Sequence, residues 1–468
     1  MNKIKIGYIP FYTKLYDDED PKQRIPVANY MRFLVELIRS EGIEVVTPDV
    51  ELCCVKEEFD AAAAKMNADD DIVCVVTQHT TYSPSLASIE AMKTLKAPIV
   101  VFDTTMHYEF LGAAQYEDRI FPNHGIHGVM EFCSMLKRNG INYTIATGHV
   151  KDNVISELLS YIRAAAAAKA FRNIKVGKAG GSFEGMGDFI ISDETYKKQI
   201  GGTVYNLTPE IMNKYLPLVT DDEIAEEVLY DVRNYDVRVD NADAYKEATR
   251  TGLAMRKWMN DEKLDGVTVN FLHTFENGLP KMPFVECCKV MERGLGYAGE
   301  GDTLTAGLCS AFTKVYPVVT FCEPFCPDWE KDLIFFSHTG EMNTKISRMK
   351  PVVSDLAFPY NESGDTVTIS GAFPAGKAVL VNLVPVDADN GKFDLILADI
   401  TMTDDGFSNG AYEKAIQGWM DPGMPIREFL KKYSYAGGTH HSVMVYNVST
   451  DELEAFGRMM GFNTVIIK

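Results

Sequence analysis

Four places in the 468-residue chain put carboxylates and imidazoles where a reaction could be run. Glu300 stands in the glycine-rich stretch GYAGEGDTLTA, Glu323 in VTFCEPF, His338 in FFSHTG, and His440 and His441 side by side in AGGTHHSV. Each follows or interrupts an apolar, strand-like run or a glycine turn, and in α/β sheets ligands gather at the ends of strands. Two carboxylates and two imidazoles suit a divalent cation that also takes oxygen ligands. Mn2+, Mg2+, Co2+ or Fe2+ fit such a set, and Zn2+ is an alternative. The set leaves coordination positions open. A substrate with neighbouring oxygens would fill them, its developing charge would be stabilised, and the carboxylates could move a proton. The same residue types have plainer readings. A lone glutamate in a loop is commonly a solvated surface group, and a histidine beside a strand is commonly structural. Adjacent histidines on a strand point to opposite faces, so only one of the pair would face a site.

The elements that must carry these residues read as α/β. Over the first 165 residues short apolar runs alternate with helical patterns. IKIGYI, IEVVTP, DIVCVVTQ, PIVVFDT and NYTIATG read as strands; IPVANYMRFLVELIRSEG, SLASIEAMKTLK and IHGVMEFCSMLKRNG read as helices. Strands separated by helices imply a parallel sheet covered on both faces. No GxGxxG follows the first strand, so no nucleotide cofactor is expected. A long helix with an alanine run, NVISELLSYIRAAAAAKAFRNI, leads into the glycine-rich VGKAGGSFEGMGD. Residues 166–350 continue as α/β and carry Glu300, Glu323 and His338. From 351 to 468 the pattern becomes β-rich, with DTVTISGAF, KAVLVNLVPV and KFDLILADITM in succession, as in an antiparallel sheet or small barrel. That last region carries His440 and His441.

Size and charge narrow the classes. A chain this long exceeds one core, so two or three domains are expected. The net charge of −20 and the lack of a basic cluster argue against a nucleic-acid surface. No apolar run is long enough for a membrane span. MNKIKIGYIPF reads as a first strand rather than a signal peptide, and the nine scattered cysteines, without a CxxC, read as reduced thiols. A cytoplasmic location is the expectation.

MPFVECCKVMERGLGYAGEGDTLTAGL resembles the L-arabinose isomerase family, within the broader L-arabinose/L-fucose isomerase superfamily, with Glu300 in the position of the family glutamate. FCEPFCPDWEKDLIFFSHTGE resembles the family stretch that contributes a glutamate and a histidine, here Glu323 and His338. AGGTHHSV is similar to the Ala-Gly-Gly-x-His-His motif; the resemblance puts the metal ligand on His441, with His440 as its substrate-side neighbour. NHGIHGVMEF resembles the segment whose histidine, here His127, reaches the sugar from an adjacent subunit. GSFEGMGD resembles a pocket loop, with Met186 as its lining residue, and HTTYSPS, beginning at His79, loosely resembles a further stretch.

The resemblance implies two α/β domains with parallel sheets and a C-terminal domain with an antiparallel β-barrel. It also implies a homotrimer or homohexamer with pockets shared between subunits. The implied activity is a Mn2+-dependent aldose–ketose isomerase acting on a pentose, hexose or deoxyhexose through an enediolate. Glu300 and Glu323 would be the catalytic carboxylates, and Glu300, Glu323, His338 and His441 the metal ligands. Phe275 and Glu276, with His273 beside them, are candidates for contact with the sugar, and Asp302 and Thr305 either orient the Glu300 loop or cap the next helix. The opening GYIPFYTKLYDDEDP replaces the family's Gly-Ser-Gln-x-x-Tyr-Gly, so the resemblance does not name the sugar. A non-catalytic sugar-binding protein, or an isomerase or epimerase of a modified or acidic sugar, are the alternatives.

Overall fold

Five short β-branched runs of the N-terminal unit form one parallel sheet in the computed structural model, which describes residues 3–110, 120–404 and 415–468. The chain divides into two units, Met1–Lys169 with Glu454–Gly461, and Ala170–Leu453 with Phe462–Lys468. In the first unit the strand order is Glu44–Val46, Lys5–Phe11, Ile72–His79, Ile99–Asp103, Tyr143–Thr147, with every pair parallel. All eight residues of Ile72–His79 are buried, as a central strand covered on both faces requires. Helix Arg24–Ser40 buries Val27, Met31, Leu34, Val35 and Ile38, one face at helical spacing.

The expected helix over SLASIEAMKTLK shrinks to a 3-10 turn at Ser85–Ala87 and one turn at Ile89–Met92. Polar side chains replace the helical ladder there. Glu131 accepts from both the backbone and the hydroxyl of Ser85, and Thr94 donates its hydroxyl back to Ala91 O. A helix at Lys56–Asn67 adds to the sequence pattern; its start is closed by Glu58, which accepts from the N–H groups of Cys54 and Val55.

The second unit holds three sheets. Gly296–Gly299, Gly266–Val269, Lys175–Ala179 and Thr203–Asn206 form a parallel sheet in that order. Asp236–Arg238, Val352–Leu356 and Thr366–Ser370 form a small mixed sheet, so DTVTISGAF pairs outside the large antiparallel sheet expected for the C-terminal region. That large sheet runs Val319–Cys322, Ser442–Tyr446, Gly376–Asp387, Lys392–Thr403, Gly418–Asp421, Leu333–Phe336, Pro324–Asp328, with Asn463–Ile467 added in parallel to Lys392–Thr403. The two strands that end this path are consecutive in the chain and joined by Glu323 alone. The sheet therefore curls back on itself in the manner of the expected barrel, and Glu323 sits where the curl closes. Its interior is apolar, built from Phe336, Leu380, Ile396, Met420 and Met444 among others. Among the described residues no helix is long and apolar enough to cross a membrane.

Candidate metal centre

Glu300 is presented by a strand-to-helix turn. Strand Gly296–Gly299 ends, Glu300 adopts φ 63, Gly301 follows at φ 82, and helix Thr303–Thr313 starts. A non-glycine residue in the left-handed region is uncommon and marks a place where the surroundings overrule local preference. Here Glu300 N–H donates to Val269 O (2.8 Å), and its carbonyl accepts from Phe183 N–H (2.9 Å). Gly301 is required: a Cβ there would come within 2.1 Å of Gly181 O. Asp302 closes the turn. One of its oxygens caps the helix by accepting from Thr305 N–H (2.9 Å), and the other lies 3.0 Å from His441 Nδ1. The orienting role considered for Asp302 is thus directed at His441, and capping is the second task of the same carboxylate.

Both histidines of the pair face the same carboxylates. His441 Nε2 lies 3.0 Å from Glu323 Oε1 and 3.4 Å from Glu300 Oε2; His440 Nε2 lies 3.7 and 3.5 Å from the same two atoms. The plainer reading, in which alternation turns one ring away, does not apply, for a local reason. The regular strand begins only at Ser442, so the two histidines precede the pleat. Phe189 stacks on His441 with ring centres 4.8 Å apart. Glu300, Glu323, His440 and His441 each offer a ligand atom, all within 4.8 Å of one another. His338 stands beside this group, with Nε2 3.8 Å from Glu323 Oε1 and Nδ1 2.8 Å from the buried Glu341, which also accepts from Tyr297 OH.

The electrostatics fit a bound cation. His441 Nε2 is buried, has no hydrogen-bond partner and is aimed at two carboxylates. Burial opposes charge on Glu300, yet the His440 and His441 imidazoles hold its carboxyl down to about 2. Burial likewise opposes charge on His441, but Asp302, Glu300 and Glu323 hold its pKa well above the ordinary value. Without an ion, a proton on the imidazole balances the carboxylates; a divalent cation would take its place. Backing by Asp302 on Nδ1 leaves Nε2 as the ligand atom, the usual carboxylate–histidine arrangement behind a metal. Binding of a divalent cation near pH 7 should therefore release on the order of one proton, and affinity should fall about tenfold per pH unit on acidification. Calorimetry in buffers of different ionisation enthalpy checks this; pH-independent affinity between pH 6 and 8 would defeat it.

The remaining expected residues fall as follows. Met186 lies on the loop after Lys175–Ala179, its N–H donating to Phe183 O. Phe275 is 44% exposed, and the exposed Glu276 is paired with His273 Nδ1 at 2.8 Å. His127 belongs to the N-terminal unit, where its Nδ1 is 2.8 Å from His124 Nε2, and His124 in turn meets Tyr16 OH. His79 is a core residue of that unit, packed against Phe11 and Phe132, and burial pushes it down to about 3. Asp188 and Phe189 also meet the histidine pair, at His440 Nδ1 and on the His441 ring. The only sequence signal for them is their place at the end of the glycine loop.

Two α/β sheets, a curled antiparallel sheet and a cluster of two glutamates and two histidines, all but His440 buried, make a site suited to a divalent metal ion, and the family matches place it among metal-dependent isomerases. Residues 11–173, 196–316 and 319–463 match the N-terminal, central and C-terminal domains described for L-arabinose isomerase. The chain belongs to the L-arabinose isomerase family, as a divergent member. It is 25% identical over 488 residues to the L-arabinose isomerase of Aeromonas hydrophila, covering 100% of this chain and 95% of that one. It is 24% identical over 478 residues to that of Geobacillus thermodenitrificans, covering 97% and 92%.

Proposed function

We infer that this protein interconverts an aldose and a ketose, a pentose, hexose or deoxyhexose, by moving a proton between C2 and C1 through an enediolate. The observation that carries this is the convergence of Glu300, Glu323, His440 and His441 within 4.8 Å. Glu300, Glu323, His338 and His441 would hold the divalent cation, with Mn2+ our first choice. Bound there, the ion supplies positive charge beside the oxygens on C1 and C2. Of the two glutamates, one removes the C2 proton and the other relays a proton between the hydroxyls. Burial of both, at 7% and 6% exposure, keeps bulk water from competing for that proton. His440 meets a sugar hydroxyl, and Met186 lines the pocket. His127 would reach the sugar of a neighbouring subunit in a trimer or a pair of trimers in the cytoplasm.

The test is solvent exchange of the C2 proton, followed by NMR, across pentoses, hexoses, 6-deoxyhexoses and acidic sugars, with metal-stripped protein and with Mn2+ restored. We expect exchange with at least one neutral sugar, dependent on the metal. No exchange on any sugar sinks the isomerase reading; exchange confined to acidic sugars moves the substrate class. Light scattering on the same samples should give the mass of three or six chains, and a monomer would exclude the shared pocket.

A further inference from the structure

The two adjacent histidines face one pair of carboxylates, but a different acid stands behind each. Asp302 holds His441 inside the protein, where both side chains are fully buried. Asp188 holds His440 at the rim, where each side chain is 36% exposed. A single Asp188 oxygen, Oδ2, accepts from His440 twice: from the backbone N–H at 3.1 Å and from Nδ1 at 2.6 Å. Backbone and ring are fixed together by that contact. Phe183 N–H, donating to Glu300 O at 2.9 Å, holds the start of the glycine loop, while a Cβ at Gly181, Gly185 or Gly187 would meet nothing within 4 Å, so the stretch before Asp188 is loosely packed.

We propose that Asp188 is a positioning residue that commits His440 to the sugar rather than to the metal ion, by latching the glycine-rich loop onto the histidine pair. The proposal rests on the isomerase reading above. With the Nδ1 proton engaged by Asp188, the ring's lone pair lies on Nε2, at the more exposed side of the cluster, where it accepts from a sugar hydroxyl. His440 Nε2 also stands further from Glu323 than His441 Nε2 does, 3.7 against 3.0 Å. The latch places its neighbours as well. Phe189, the next residue, lies on the His441 ring, and Met186 is two residues before Asp188.

Two readings on the full-length protein decide it: Mn2+ affinity by calorimetry on chelator-treated samples, and steady-state kinetics with an aldose the wild type converts. Asp188→Ala should keep Mn2+ affinity within about twofold and lose about 10- to 100-fold in kcat/KM, mainly through KM. Asp188→Asn keeps a carbonyl oxygen for the Nδ1 proton and should recover part of that loss. Asp302→Asn is the reference, expected to weaken Mn2+ binding about tenfold or more. A loss of Mn2+ affinity in Asp188→Ala equal to that in Asp302→Asn would make His440 an ion ligand and overturn the proposal. An unchanged kcat/KM would overturn it too. If the alanine variant does not fold, the asparagine variant supplies both readings at smaller amplitude. A wild type that converts no sugar defeats the isomerase reading instead, while the Mn2+ measurements still decide whether the two acids hold the two histidines for different tasks.

Discussion

Glu300→Gln should abolish C2-proton exchange, by on the order of a thousandfold, in a protein that still folds. The amide is nearly isosteric with the carboxylate, and the contacts that hold the turn are made by the backbone, from Glu300 N–H to Val269 O and from Phe183 N–H to Glu300 O. These survive the change, as does the left-handed φ that residue 300 adopts. What is lost is the charge. The carboxyl at 300 is held at about 2 by the neighbouring imidazoles in spite of its burial, so it is ionised throughout the neutral range. A glutamine can neither remove nor relay a proton as either of the two carboxylates must, nor offset the charge of an ion. NMR exchange, circular dichroism and thermal unfolding are to be read on the same sample. Exchange retained above about a tenth of wild type, with the fold intact, would remove Glu300 from its assigned role.

Lys289→Met should cost about 3–5 kcal/mol of stability, the largest structural effect expected away from the site. Lys289 is 3% exposed and its ammonium lies between Glu227, at 2.6 Å, and the buried Asp231. Arg256 spans Glu227 and both oxygens of Glu286, and Arg293 donates to Glu286 Oε1 as well. The ions tie three helices of the second unit, Asp221–Asn234, Ala242–Glu262 and Phe284–Glu292. Removing Lys289 leaves Asp231, whose pKa burial already raises despite that lysine, without its cation. The pH dependence follows from Glu227. Burial opposes its charge, but Arg256 and Lys289 bring it from an ordinary 4.5 to about 2. A depressed carboxylate stabilises fully above 4.5, and the contribution disappears as pH falls through about 2. Urea unfolding at pH 7 checks the main claim; a loss below about 1 kcal/mol would show that the network is solvated.

Much of the framework is legible in the chain because it rests on local pattern. IVCVV is apolar and mostly β-branched, as a central strand buried on both faces requires, and IPVANYMRFLVELIRS places its apolar residues on one helical face. SLASIEAMKTLK carries a similar apolar spacing but loses its helix to Glu131, more than forty residues away, which no local window contains. DTVTISGAF reads correctly as a strand, but its partner is Val352–Leu356 in a sheet apart from the barrel, because pairing depends on register between distant segments.

The site divides the same way. Residue types beside turns and strand ends make Glu300, Glu323, His338 and the histidine pair candidates, since only a few side chains can hold a divalent ion, and the resemblance of the EGD and GGTHH stretches to the family makes them one site. Sequence by itself thus determines the chemistry available and the family. Tertiary structure alone decides that both histidines face the carboxylates, that Asp302 stands behind His441, and that Asp188 reaches His440 from a loop some 250 residues earlier in the chain. The physical reason is that orientation at a buried polar site is set by which partner satisfies each hydrogen-bonding atom. Those partners are brought close by the curl of a sheet and the turn at Gly301, and by no spacing along the chain.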